Sequence, residues 1–507
     1  MEKTRTWRDI VLSDLGILIL LALARILLYT LTNGQYGWHR DELAMLDNAR
    51  HLDWGYVDYP PLAAFIARAA LELFGPSLVG VRLFSALAQS VAMVLAGLMA
   101  RELGGSRLAQ VVTALATAIA PASLFAGTMF QYTSFDYLWW VLIAFLIIRL
   151  LKSEDPRWWL GIGAAIGLGM MTKFTIAFYI VGIVVGVILT NARRYLTSPW
   201  LWAGVALAML IFLPNLIWQV QHSFISLDFL GSIHERDIRI GRTQGYLTDQ
   251  LWMCTNLVTI PLWVAGLFFY FATPAGKRYR LLGWMFAVPF GLMLIAQGRG
   301  YYLTPAYPLL IAAGAVWGEQ WLATLPAGQD RLVQGITWSL LAVGGVLIGA
   351  LALPIAPINS PWWEVASGIN NDLKEEIGWP ELTETVAGIY AALPDEERSQ
   401  AGILTGNFGE AGAINLYGPS YGLPEAISGI NSYWLRGYGN PPPQVLIVLG
   451  FTFDEADQFL GTCDLAGHVT NRYGVMNEET KDHPDIFVCR QLHEPLPELW
   501  KHFQWFG

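Results

Sequence analysis

The chain has 507 residues, 54% of them hydrophobic and only 14% charged, which excludes an ordinary soluble protein, where charged residues make up about a quarter of the chain. The formal net charge of -9 is unevenly shared: from residue 354 onward 21 Asp and Glu face 7 Lys and Arg, a net of -14, leaving +5 for the rest. An acidic, water-loving tail of this kind argues against nucleic acid as a partner.

In chain order, apolar runs of roughly 18 to 22 residues recur, long enough to cross a hydrocarbon core of about 30 Å as helices. They lack the two-residue alternation of barrel strands, so helices are predicted. The spans fall near 11–31, 79–100, 107–126, 134–151, 158–172, 174–190, 200–219, 251–272, 281–297, 303–320 and 332–353, eleven in all. Lys3, Arg5 and Arg8 precede the first run, which is too long for a signal peptide and is followed by no small-residue cleavage site. It reads as a signal anchor and first span.

Directly after it comes "HRDELAMLDNARHLDWGYVDYPPL", residues 39–62. Leu43, Leu46, Ala49 and Leu52 recur at helical spacing, which predicts an amphipathic helix in the membrane interface with its acids turned to water. Asp41 and Glu42 would then suit its N-terminal dipole, or act as a general base if held within reach of a hydroxyl. In "DYPPL" the paired prolines fix the backbone, so that Asp58 and Tyr59 project at a set angle.

One alternate set of loops holds the basic residues, Lys3/Arg5/Arg8, Arg101/Arg107, Lys152/Arg157, Arg193/Arg194, Lys277/Arg278/Arg280 and Arg331. That set is expected on the cytoplasmic side. The other set, expected outside, carries the 39–62 stretch, Asp136 in "QYTSFD", Lys173 in "TKF", His222, His234 and Arg299 in "QGRGYY". Arg25 and Lys173 lie near lipid depth and close to the outer ends of their helices, where snorkelling is expected. Asp136 would start its span, capped by Ser134.

Beyond residue 354 the hydropathy drops. "WPELTETVAGIYAAL", "GEAGAINLYG" and "DEADQFL" read as helices and "AGILTG", "VLIVLG" and "IFVCRQL" as strands, so a small α/β domain is expected. The division expected is 1–353 for the membrane part and 354–507 for the tail. Tyr417, Tyr421, Tyr433 and Trp434, with Asn431 and Glu410, fit either sugar stacking or a domain core. Of the three cysteines, Cys254 falls in a predicted span; Cys463 and Cys489 are compatible with a disulfide outside the cytoplasm or with two buried thiols. No phosphate-binding loop, dinucleotide fingerprint or Ser-His-Asp pattern is apparent, so no nucleotide cofactor is expected.

An acidic pair after the first span, an acid just before Pro-Pro-Leu and then a second span, followed by "GLGMMTKFT", "PNLIWQVQHSF", "GRGYYLTPAYPLLIAAGA" and the tail stretch "GEAGAINLYGPSYGLPEAISGINSYW", resemble the GT-C superfamily of polyprenyl-phosphate-sugar-dependent glycosyltransferases. The bacterial protein-mannosyltransferase-like proteins and the lipid A aminoarabinose transferases are the nearest branches. The resemblance implies a polytopic helical membrane protein of the GT-C fold, multi-pass in the bacterial inner membrane, with an extracytoplasmic tail. It implies an inverting enzyme that moves a sugar from a polyprenyl-phosphate donor to a lipid, glycan or protein acceptor.

On that resemblance Asp41, with Glu42, would be the base that activates the acceptor. Asp58 would contact the donor or a divalent metal ion, with His222 as a further ligand. The aminoarabinose branch has Lys between the acid and the prolines; Tyr59 stands there in this chain. Arg299, before Tyr301 and Tyr302, occupies a place where relatives carry Lys and would grip the donor phosphate, with Lys173 as a second cation and Asp136 lining the site. The rival expectation is a lipid-linked-sugar flippase, which would distribute ionisable groups through the bilayer midplane.

Overall fold

The computed structural model describes residues 11–507; the expected cytoplasmic residues Lys3, Arg5 and Arg8 lie outside them. The described chain divides into two units. One comprises the residues up to Asn33, Arg82–Gln221 and His234–Leu353; the other comprises Gly34–Val81, His222–Ile233 and Pro354–Gly507. A cut falls at 353/354 as expected, and the first long loop and the shorter segment His222–Ile233 group with the tail as well.

In the membrane unit, five helices have the length and apolar composition to cross a bilayer: Asp14–Thr32, Leu78–Glu102, Tyr132–Ser153, Pro199–Gln221 and Gln329–Ala352. Three further stretches are bent pairs, Arg107–Ala118 with Pro121–Thr128 at 65°, Ile176–Leu189 with Asn191–Thr197 at 100°, and Tyr246–Trp252 with Leu257–Ala272 at 86°. Hydropathy windows read runs such as 107–126 as single straight spans. Pro121 has no N–H to donate and starts a new helix there, and Asn256 caps a new turn through Val258 N. Trp158–Met170, Arg280–Ile295 and Tyr307–Leu322 are shorter apolar helices.

Glycines let these helices touch backbone to backbone. A Cβ on Gly266 would lie 2.0 Å from Leu310 O and one on Gly314 1.7 Å from Leu262 O, so Leu257–Ala272 and Tyr307–Leu322 meet along two glycine notches. Arg25 does not snorkel. Its guanidinium is buried and donates to Tyr29 Oη, Gln89 O, Ser123 O and Ser123 Oγ at 2.8–3.3 Å, satisfied inside the helix bundle.

The 22-residue helix Tyr132–Ser153 is about 33 Å long, and its two ends differ in chemistry. At its C-terminal end Arg149 and Lys152 pair with Glu102, and Arg278 and Arg194 pair with Glu154. At its N-terminal end Tyr132 lies under Lys173. The basic loops expected in the cytoplasm thus gather at one end of this helix, and Lys173 sits at the other.

The second unit is an α/β structure. Strands β1 (Ala401–Thr405), β2 (Ala426–Ile427), β3 (Val445–Leu449), β4 (Gly461–His468) and β5 (Asp485–Leu492) form one sheet in the order β2-β1-β3-β5-β4. β1 runs parallel to β2 and β3, and β5 runs antiparallel to β3 and β4. Leu404, Leu446, Val448 and Phe487 centre its core. Cys463 and Cys489 are register partners on β4 and β5 and form a disulfide. Hydropathy did not mark β4, an edge strand whose side chains are largely exposed, nor the two-residue β2.

In the same unit the first loop forms helices Arg40–Arg50 and Leu62–Phe74. The first is not the one-sided interfacial helix expected. Glu42, Asp47 and Asn48 are buried along with Leu43, Leu46 and Ala49, because the helix packs on Phe408–Tyr417, where a Cβ on Gly412 would meet the Leu43 backbone at 2.6 Å. Leu52 is the exposed member of the predicted apolar row.

Candidate functional site

Two groups of side chains stand out, one in each unit. In the α/β unit, His39 caps the helix Arg40–Arg50: its Nδ1 accepts from Asp41 N at 3.1 Å, while Glu42 Oε2 accepts from His39 N at 2.9 Å. Glu42 is fully buried in this capping box, which commits its carboxylate to the helix start. Asp41 differs from its neighbour, with 39% of its side chain exposed to solvent.

Asp58 lies on the Pro-Pro turn. Ser432 Oγ accepts from Val57 N at 2.9 Å and donates to Asp58 Oδ1 at 3.4 Å, so a tail serine holds the turn. Burial, with a further push from the Asp41 charge, lifts the Asp58 carboxyl to about 7, against the lowering pull of Ser432 and Arg436. Tyr59 is buried; its Oη accepts from Asn48 Nδ2 at 2.5 Å and its ring lies 5.2 Å from that of Tyr56. Arg436 donates to Asp47 and Asn48 and covers the Tyr433 ring at 4.3 Å. Asn415 donates to Asp47 Oδ1 at 3.1 Å.

Sequence reasoning singled out neither Asp47, Asn48, Ser432 nor Arg436. The signal available was weak, polar residues on the supposed apolar face of one helix and one arginine in an acidic tail. Of the tail residues open to two readings, Glu410 and Tyr433 are buried, and Asn431 exchanges hydrogen bonds with Gly507. Those three belong to the core.

In the membrane unit, Lys173 lies in the break between Trp158–Met170 and Ile176–Leu189. It does not snorkel; it is 9% exposed, with its Nζ 4.3 Å from the Tyr302 ring centre, 5.4 Å from that of Tyr132 and 5.7 Å from that of Tyr301. Asp136 is buried in the first turns of Tyr132–Ser153, accepting from Trp140 Nε1 at 3.0 Å and Thr175 Oγ1 at 3.4 Å. Ser134 does not cap that helix as expected. The helix starts two residues earlier, and Ser134 Oγ donates to Ala126 O instead.

Arg299 completes the group. Its Nε and Nη2 donate to Asp237 Oδ2 and Oδ1 at 2.5 and 2.9 Å, and its Nη1 to Tyr301 Oη at 3.1 Å. Tyr301 and Tyr302 meet edge to face at 4.8 Å. A buried ammonium and a guanidinium, walled by tyrosines, make an anion-binding arrangement with apolar sides. Asp237, in the last turn of Ile225–Arg239, was not anticipated.

Among the described residues no group of three or more His, Cys, Asp or Glu is disposed to hold a metal ion.

The family model for dolichyl-phosphate-mannose-protein mannosyltransferases matches residues 58–218. The lipid A galacturonosyltransferase RgtD of Rhizobium johnstonii is 28% identical over 176 residues, 34% of this chain and 37% of that protein, so the match spans about a third of the relative's length. The undecaprenyl phosphate-alpha-4-amino-4-deoxy-L-arabinose arabinosyl transferase 1 of Pseudomonas fluorescens is 25% identical over 386 residues, 71% of this chain and 67% of the relative. Among solved structures, ArnT from Cupriavidus metallidurans bound to undecaprenyl phosphate has a similar fold, with a TM-score of 0.57 and 16% identity over 93% of this chain and 97% of that one.

Proposed function

We propose that the chain is a GT-C glycosyltransferase, a reading supported by the family model matched over residues 58–218 and by the two relatives named above, and that it moves a sugar from a polyprenyl-phosphate carrier to a hydroxyl of a lipid acceptor on the outer face of the membrane. The observation that carries this reading is the pairing of Lys173 and Arg299 among Tyr132, Tyr301 and Tyr302, which suits a phosphate with an apolar tail. One relative is by name a lipid A galacturonosyltransferase and the other an arabinosyl transferase named for an undecaprenyl-phosphate sugar, which supports a lipid acceptor and this donor. The disulfide supports an oxidising compartment for the tail.

As the bond from the sugar's anomeric carbon to the phosphate oxygen breaks, negative charge grows on the departing phosphate. Cations fixed beside it stabilise that charge more in the transition state than in the ground state. Attack on the face opposite the phosphate inverts the anomeric centre, and Asp41, with 39% of its side chain exposed, is our candidate for the base that takes the acceptor hydroxyl's proton. Burial raises the Asp58 carboxyl to about 7, so it is only partly ionised near neutral pH.

Transfer from synthetic polyprenyl-phosphate sugars to lipid acceptors by the purified protein tests the reading. Wild type is expected to transfer and invert, and Asp41→Asn to retain donor binding with transfer reduced by at least about a hundredfold. Transfer at the wild-type rate by Asp41→Asn removes Asp41 from the chemistry. Lipid-linked sugar translocated without any transfer would instead establish a flippase.

A further inference from the structure

Asp237 is an acid in an unfavourable place. It lies in the final turn of Ile225–Arg239, where the helix dipole disfavours negative charge, and it is 4% exposed. An uncompensated carboxylate there would be costly, so its position is set by its partner. Its two-point partner is Arg299, whose Nε and Nη2 it takes at 2.5 and 2.9 Å; Arg236 Nη2 stands farther off, 3.9 Å from its Oδ1.

A guanidinium has five N–H donors. Asp237 engages two and Tyr301 Oη a third, leaving two, one on each terminal nitrogen. Those are the pair that grips a phosphate bidentately. A phosphate that displaced Asp237 would strand a buried carboxylate, whereas one that used the remaining edge would leave the existing pair intact.

We propose that Asp237 is a positioning residue: it holds Arg299 side-on so that the free end of the guanidinium faces the phosphate of the lipid-linked donor. This rests on the reading of Arg299 as a donor-phosphate ligand. The sign of its effect is diagnostic. By charge alone, neutralising an acid beside an anion site should tighten anion binding; if the acid aims the guanidinium, neutralising it loosens binding.

The test measures KM and kcat for a synthetic undecaprenyl-phosphate sugar with wild type, Arg299→Ala, Asp237→Asn and Asp237→Glu, each assayed below its own melting temperature. Asp237→Asn is expected to raise KM roughly tenfold, the loss of about one charge-assisted contact, with a smaller change in kcat. Asp237→Glu, which keeps the carboxylate, is expected to recover most of that loss. A raised KM for Arg299→Ala with an unchanged or lowered KM for Asp237→Asn overturns the inference and leaves the phosphate reading standing. An unchanged KM for Arg299→Ala overturns both. Should Asp237→Asn fail to fold, Asp237→Ser gives the same comparison.

Discussion

Arg436 donates to Asp47 across 389 positions of sequence, and its other terminal nitrogen reaches Asn48. The pair fastens the helix Arg40–Arg50 to the tail helix Asn431–Arg436. Asp47 is buried, with 2% of its side chain exposed, so removing the arginine leaves a carboxylate with little solvent to replace it. Arg436→Gln is expected to destabilise the protein by about 3 kcal/mol, read as a lower melting temperature in detergent. Asp47→Asn added to Arg436→Gln should recover part of the loss, because the stranded charge is gone.

Asp58 gives stability a particular dependence on pH. Its carboxyl is lifted from 3.8 to about 7 in the folded chain. Below the lower value both states hold the proton and the group contributes nothing. Between the two the unfolded chain loses its proton while the folded chain keeps it, so stability falls as pH rises; above the upper value the loss is complete and constant. Asp58→Asn removes this slope. The gap in melting temperature between the Asn variant and wild type should widen from pH 4.5 to pH 7.5 and then stay level, and a gap that narrows over that range would refute the assignment.

Lys173 is expected to act on donor affinity. Lys173→Met preserves length and apolar packing against Tyr302 but removes the ammonium. KM for a polyprenyl-phosphate sugar should rise by about tenfold or more, and Lys173→Arg should restore much of it. Unchanged donor saturation in Lys173→Met would take this residue out of the phosphate site.

The glycine notches offer a test of the membrane unit. A methyl at Gly314 has nowhere to go, since Leu262 O lies 1.7 Å from where its Cβ would stand. Gly314→Ala is expected to lower the melting temperature or abolish recovery of folded protein, whereas Gly318→Ala, whose Cβ would meet nothing within 4 Å, should be silent.

Much of the membrane unit was legible because lipid imposes one rule, long apolar runs, and that rule is written residue by residue. The runs were found, but their straightness was not, since a proline at 121 or a capping asparagine at 256 changes direction without changing hydropathy. In the tail, strands buried on both faces, such as Val445–Leu449, announced themselves, while the exposed edge strand Gly461–His468 did not. Lys173 and Arg299 were joined on the resemblance as two cations for one phosphate, with Tyr301 and Tyr302 beside Arg299 in the chain. The partnership of Arg299 with Asp237, 62 residues away, is tertiary and no motif carried it. Asp41 was set ahead of Glu42 on the resemblance alone; the capping contact of Glu42 with His39 N is a difference that the sequence did not carry.

The α/β unit is assembled from chain segments made far apart in time. The residues around Asp47 leave the ribosome 368 positions before Asn415, which must bond to them, an interval on the order of tens of seconds at ordinary elongation rates. Through that wait Asp47 and Asn48 lack the tail groups that bond to them in the complete fold. A nascent chain interrupted anywhere in between would lack the tail partners that Asp47 and Asn48 take in the finished protein.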